Sequence, residues 1–539
     1  MSPYRSPVAP PPPTWPVISG VTNTMRLLRA NYVFAREGVF NDVDPTLLPL
    51  PARMGLKFSK LISRPSKAGQ TGRISAALSK LGPTYVKLGQ FLATRPDVVG
   101  PTVALELESL QDRMPPFPQA EAVATIEQAF GRPLNQVFSA FGPAVAAASI
   151  AQVHQAQVQT EGGSRQVAVK VLRPGIERRF KIDQDAFAFV ARKAEQWSLE
   201  AQRLRLVETV ATMRRSVALE MDLRLEAAAL SEMAENTKDD PDFRVPAVDW
   251  DRTAKEVLTM EWIDGTHLSN RALLEAEGHD LKQLARALIQ SFLRHALRDG
   301  FFHADMHPGN LFVDREGRIV AVDFGIMGRL GPKERRFLAE ILYGFITRNY
   351  RRTAEVHFEA GYVPAHHTVD EFAQAIRAIG EPIHKRSADE ISMAKLLTLL
   401  FEVTALFDMR TRPELLLLQK TMVVVEGVAR SLDPKLDMWS TAEPVVRDWI
   451  EKRLGPAGRV AGAVEGTVEI GRFMGQVPGL LNRGATVLEQ LDAATRYGLV
   501  LAPETVEDIG KAEARRSRSA ATALWVIAGL LVYIAWTMS

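Results

Sequence analysis

Two short runs hold residue types suited to handling phosphate and a hard metal ion: HADMHPGN at His303–Asn310 and VDFG at Val322–Gly325. Asp305 and Asn310 are five residues apart, and Asp323 follows beyond a polar turn at Asp314–Arg318. This is the H-x-D-x-x-x-x-N and D-F-G spacing of phosphoryl-transfer catalysts. A nucleoside triphosphate brings several negative charges and Mg2+, a cation that demands oxygen ligands. Asn310 and Asp323 offer those oxygens. Asp305 is expected to orient an attacking hydroxyl or water and to accept its proton. Either run by itself would be an ordinary acidic surface turn, and the conjunction with an upstream lysine carries the reading.

That lysine is Lys170, in VAVK at Val167–Lys170. Strand alternation puts it on the face opposite Val169 and Val171. A solitary strand lysine is usually a solvated edge residue, but with the downstream loops in place it is expected to hold phosphates. A carboxylate must then position it. The segment ALEMDLRLEAA, read as lying on the helix after Lys170, offers Glu220, Asp222 and Glu226. Glu226 falls six residues after Glu220 and so off its helical face. The three therefore point to different neighbours; Glu226 is expected to pair with Lys170, and Glu220 and Asp222 to face something else. Where a phosphate-covering glycine loop would stand, the chain reads PAVAAASIAQVH, with Ala146, Ala147 and Ala148 replacing the glycines. Their methyls restrict positive φ and keep the backbone from approaching phosphates closely. The expected nucleotide contacts are Ala146, Ala147, Ala148, Ser149, Lys170 and Met260, the last on the strand-like stretch EVLTMEWI.

The elements that must position these residues suggest two lobes. A helix over Arg73–Leu92 with a break at Pro83 precedes helices near Pro101–Gln111 and Gln119–Phe130. Two alternating runs, QVHQAQVQ and RQVAVKVL, flank the turn cluster Glu161–Ser164 and read as paired strands. Long helical patterns fill Ile182–Asn236, a further helix spans Leu281–Arg298, and short strands at Leu311–Val313 and Ile319–Val322 enclose the polar turn. From Lys333 to about Tyr497 the pattern is helical. The helical pattern resumes at once after Asp323 and no A-P-E follows, so a platform for peptide substrates is not expected.

With 46% hydrophobic and 24% charged residues, the 539-residue chain has the composition of a globular protein with several folding units. A formal net charge of +3 is too small for a nucleic-acid footprint, and no nucleic-acid partner is expected. The absence of cysteine excludes disulfides, zinc–thiolate sites and thiol nucleophiles. The first residues are Pro-rich, and residues 1–70 are expected to be partly disordered with scattered amphipathic pieces. Residues 520–538 are uncharged and mostly apolar; as a helix they would span roughly 28 Å, close to the hydrocarbon core of a bilayer. Arg515, Arg516 and Arg518 precede them, which would keep the bulk of the chain cytoplasmic.

These residues resemble the UbiB family of atypical kinases, the aarF-domain-containing kinases. The resemblance runs from about Arg73 to Pro434. KLGQ at Lys87–Gln90 resembles the family's KxGQ motif, Glu220–Asp222 its ExD motif, and AAASIAQVH its alanine-rich loop. ELESLQD (Glu106–Asp112) and EGVARSLDP (Glu426–Pro434) complete the series with the two acidic loops. The resemblance implies an α+β, bilobal, protein-kinase-like fold with a KxGQ helical extension and a mostly helical C-terminal part. The expected divisions are an N-terminal region 1–70, the extension 71–133, a small lobe 134–265, a large lobe 266–440, a helical region 441–515 and a transmembrane helix 520–538. It further implies that Lys87 and Gln90 lie over the active site, with Glu220 and Asp222 facing Lys87 in regulatory roles. ATP or ADP with Mg2+ would be the cofactors. A membrane lipid or isoprenoid-quinone precursor, and other quinone-biosynthesis proteins, would be partners, at the bacterial inner membrane. The family often carries two terminal spans, whereas one stands out here. Two rival readings remain: a nucleotide-sensing scaffold with negligible turnover, and a metal hydrolase built on His303, Asp305 and His307. The hydrolase lacks a partner cluster of His or Asp elsewhere in the sequence.

Overall fold

The structure is a computed structural model that describes residues 16–41, 59–63 and 72–454, apart from 94, 109, 111–113, 198, 384–402, 404–405 and 410–412. Four strands form an antiparallel sheet in the order β1 (Ala140–Ala147), β2 (Ala151–Thr160), β3 (Gly163–Leu172) and β5 (Val257–Glu261). From Val167 onward every β3 residue is buried, because both faces of the sheet are covered. Val167, Val169 and Val171 pack with Ala122 and Ile126 of helix α5 (Gln119–Phe130) and with Phe138. Ala168 and Leu172 point the other way, into the main core. Lys170 shares that second face by the two-residue period of a strand. β1 bulges, its register slipping between Phe141 and Ala144 and again before Ala146, which bends the strand as it enters the alanine-rich turn.

The segment expected as long helices over Ile182–Asn236 is divided. Its main helices are α6 (Ile176–Trp197), α7 (Leu206–Glu220) and α8 (Leu223–Thr237). ALEMDLRLEAA is therefore not one helix, and none of it lies on the helix directly after Lys170. Glu220 ends α7, Asp222 caps α8 by accepting from Arg224 N at 3.2 Å, and Glu226 sits in the first turn of α8. Leu223, Ala227 and Leu230 bury that helix against the sheet.

The second lobe is built around α9 (Leu281–Arg294), capped by Asp280, whose carboxylate accepts from Lys282 N and Gln283 N. The expected helix to Arg298 changes character at His295, where the last turn widens into a π turn ending at Asp299. Gly300 follows with φ 66°, and a Cβ there would lie 2.5 Å from the Leu330 carbonyl, so only glycine fits. A small sheet of order β4 (Phe243–Arg244), β9 (Ile319–Ala321), β8 (Leu311–Asp314) and β6 (Gly265–His267) lies beside a two-stranded ribbon, β7 (Phe301–His303) with β10 (Met327–Arg329). Helices α10 (Pro332–Ile346), α11 (Tyr350–Glu359), α12 (Val369–Ile383), α13 (Pro413–Leu432) and α14 (Met438–Leu454) follow.

Within residues 1–70 the structure describes a long helix. Pro16–Arg36 is a 21-residue helix, α1, whose Arg26 pairs with Asp183 of α6 at 2.6 Å. Its Ala30 packs with Leu78 of α2 (Arg73–Leu81), with Tyr85 and Val86 of α3 (Pro83–Ala93) and with Leu107 of α4 (Pro101–Glu108). Pro83 starts α3 where the sequence placed a break, a position that tolerates proline. No helix among the described residues is long and apolar enough to cross a membrane. The apolar run 520–538 and most of the region 441–515 lie outside the described residues.

Candidate active site

Lys170 is the centre of the cleft. Its Nζ donates to both oxygens of Glu226, at 2.8 and 2.9 Å, and to Asp323 Oδ1 at 2.9 Å. Lys170 and Glu226 are each under a tenth exposed. Burial opposes the charge on Lys170, but Asp323 and Glu226 outweigh it and hold the ammonium above the ordinary lysine range. For Asp323 burial also opposes ionisation, yet Lys170, with Lys87 adding, keeps it well below the usual carboxylate range. Burial pushes the Glu226 carboxyl up, and Lys170 offsets this only in part. The arrangement is one cation clamped between an ionised Asp323 and a deep glutamate.

The two acidic loops are fastened together by His303. Its Nε2 lies 3.1 Å from the Val322 carbonyl, and its Nδ1 accepts from Asp305 N at 3.0 Å. Because Nδ1 accepts and Nε2 faces a carbonyl, the ring carries its proton on Nε2, and burial, which lowers its pKa, acts in the same direction. Val322 N donates to Asn310 O at 2.9 Å, and Ala304 N to Ile326 O at 3.1 Å. Asp305 and Asp323 are thus held on adjoining loops between four short strands. Asp323 adopts φ 63°, a left-handed backbone that a non-glycine residue takes only where its surroundings impose it. The Asn310 amide donates to the Asp305 carbonyl at 3.1 Å and to Asp305 Oδ2 at 3.4 Å, leaving its own oxygen for another partner. An amide oxygen and an ionised carboxylate on neighbouring loops are donors that suit Mg2+.

The alanine-rich turn is pinned from outside the expected set. Arg173 donates from Nε and Nη2 to the Ala148 carbonyl at 3.0 and 2.9 Å, and from Nη2 to the Pro115 carbonyl at 2.8 Å. Ala146 is exposed, Ala147 and Ala148 are half-buried, and Ser149 is fully buried. Met260 stands opposite Ala168 in the sheet register and is buried in the main core. The arginine–proline pair directly after β3 was the available signal for that pin.

Lys87 is buried on α3 and forms an ion pair with Glu220, and its charge reaches Asp323. The helical extension therefore brings a second ammonium to the cleft. Gln90 lies one turn further along α3 and is half-buried. Asp222, expected to face Lys87, pairs with Arg224 at 2.6 Å while capping α8, because cap geometry turns its carboxylate back onto its own first turn. The trio His303, Asp305 and His307 does not converge on one point. Both His303 nitrogens are engaged by backbone, and His307 Nδ1 accepts from Gly309 N at 3.0 Å.

The ABC1 atypical kinase-like domain matches residues 109–357, and the UbiB helical domain matches residues 376–437. A protein from Marinobacter nauticus, named "Probable protein kinase UbiB", is 40% identical over 447 residues, covering 82% of this chain and 81% of its own. One of the same name from Azotobacter vinelandii is 39% identical over 475 residues, covering 86% and 87%. A solved structure titled as the complex of Rv3197 with erythromycin from Mycobacterium tuberculosis aligns with 74% of this chain and 97% of its own, at 24% identity and a TM-score of 0.48.

Proposed function

This chain belongs to the UbiB family of ABC1 atypical kinase-like proteins, and on that premise we propose that it binds adenine nucleotide with Mg2+ and supports ubiquinone or related isoprenoid-lipid synthesis. It would do so by ATP hydrolysis or by phosphorylating a small acceptor. The observation that carries this reading is the Lys170–Glu226–Asp323 cluster beside Asp305 and Asn310. Mg2+–ATP, when bound, supplies the transferable phosphoryl group and the cation that screens its charge. Lys170, fixed by Glu226, would bind phosphate oxygens, while Asn310 and Asp323 would hold the metal. Asp305, whose backbone is set by His303, would orient an acceptor hydroxyl or water and take its proton. The fixed donors would act by positioning and by charge placed before the reaction starts.

Titration calorimetry with ADP or ATP, with and without Mg2+, tests this. Wild type is expected to bind only with magnesium, and Asp323→Asn to lose most of that affinity. Magnesium-independent binding, or equal binding by the variant, would overturn it. A second reading, a nucleotide-binding scaffold with negligible turnover, draws support from the Lys87–Glu220 pair closing α3 onto the cleft. Equal phosphate release by wild type and Asp305→Asn would favour the scaffold. Anchoring through residues 520–538 is part of the proposal and rests on their length and apolarity.

A further inference from the structure

Two neighbouring histidines and an aspartate 41 residues beyond the second of them meet in the second lobe, far along the chain from either acidic loop. His366 and His367 lie in the connection between α11 and α12, and Asp408 in the turn before α13. The sequence had offered no second cluster of His and Asp; the fold assembles one.

We infer that His366, His367 and Asp408 form a site for a divalent transition-metal ion of the zinc type, which clasps the α11–α12 connection to the turn before α13. One ligand atom from each residue lies within 4.8 Å of the other two. The Nε2 atoms of His366 and His367 stand 3.5 and 3.7 Å from the same oxygen, Asp408 Oδ2. Those separations are long for hydrogen bonds. They suit ligands about 2.0–2.2 Å from a common ion, which in a tetrahedron stand about 3.4 Å apart.

A second observation points the same way. His367 Nε2 is buried with no hydrogen-bond partner among the described residues, an expensive state for a polar atom unless something binds it. The ring is held in place by Phe407, whose centroid is 5.0 Å away and which packs in turn on Phe372. His366 and Asp408 are 63% and 70% exposed on their side chains, so an ion can enter from solvent and a water can complete the shell. Two imidazoles and one carboxylate select zinc, cobalt or nickel over Mg2+ or Ca2+, which prefer oxygen throughout. The inference does not rest on the nucleotide chemistry of the cleft.

The test uses the untagged full chain, stripped with chelator and free of nucleotide. Zn2+ is titrated by calorimetry and Co2+ by visible absorption. One ion per chain, tetrahedral-type Co2+ bands and a thermal midpoint that rises with added Zn2+ are expected, since a ligand bound only by the folded state stabilises it. His366→Ala and Asp408→Ala, at exposed positions, should keep the metal-free midpoint of wild type and bind Zn2+ about a hundredfold more weakly. Asp323→Asn should bind Zn2+ as wild type does. Absence of binding, wild-type affinity in both His366→Ala and Asp408→Ala, or loss on Asp323→Asn would each overturn the site.

Discussion

At the scale of single residues, the cleft is governed by one ammonium shared between two carboxylates. Replacing Lys170 with methionine leaves Glu226 buried without its cation. Removing one partner of a buried pair costs about 3–5 kcal/mol, so the thermal midpoint of Lys170→Met should fall clearly below wild type. An unchanged midpoint would mean that Glu226 is protonated in the resting protein. Buried His303 and half-buried His357 both contribute to the pH response. Burial lowers His303, and it pushes His357 down to about 4 while its Nδ1–H donates to the Thr353 carbonyl at 2.7 Å. A group whose folded pKa lies below its unfolded value contributes stability that is complete above the unfolded value, about 6.5 for histidine. That stability is lost as pH falls toward the folded value. Melting curves should therefore hold level above pH ~6.5 and drop steadily toward pH ~4. A midpoint flat across that interval would contradict neutral rings at His303 and His357.

At the scale of elements, α8 is the part whose packing and chemistry are inseparable. One face seats Leu230, fully buried, and its first turn presents Glu226 to Lys170. Leu230→Ala should destabilise the protein by about 2–5 kcal/mol and weaken nucleotide affinity as Glu226 loses its seat. Leu225, one position before Glu226 and 47% exposed, is the control. Leu225→Ala should move stability by no more than about 0.5 kcal/mol. Comparable losses in both would mean that burial on this helix is not what fixes the glutamate. The break between α7 and α8 explains why the acidic residues of one short segment serve three neighbours. Glu220 ends one helix toward Lys87, Asp222 caps the next onto Arg224, and Glu226 enters the cleft. A continuous helix could not aim three carboxylates so independently.

At the scale of the whole molecule, the proposed anchoring by residues 520–538 can be tested apart from the proposed nucleotide chemistry of the kinase-like core. Deleting residues 520–539 should abolish flotation with phospholipid vesicles and leave magnesium-dependent nucleotide binding unchanged. Flotation by the shortened chain would place the membrane contact elsewhere, and lost nucleotide binding would tie that segment to the fold. Membership of the UbiB family agrees with the kinase-like core.

Much of this protein is legible in its sequence, because the candidate site residues are concentrated in runs shorter than ten residues. Asp305, Asn310 and Asp323 declare themselves by spacing, since a strand–loop–strand hairpin is local and its geometry follows from its own residues. β2, β3, α5 and the break at Pro83 were legible for the same reason: period and turn chemistry are local signals. Helix α1 was not, because a proline-rich leader masks an amphipathic face whose partners, Leu78, Tyr85 and Leu107, lie some fifty to eighty residues away. The pin from Arg173 to the Ala148 carbonyl, the capping turn that pairs Asp222 with Arg224, and the meeting of His366 and His367 with Asp408 were equally hidden. The sequence by itself determined which groups are available and which sit on one strand or loop. Tertiary structure decided which of them meet, because contacts between distant segments depend on how whole helices and sheets bury their apolar faces, and no local pattern encodes that sum.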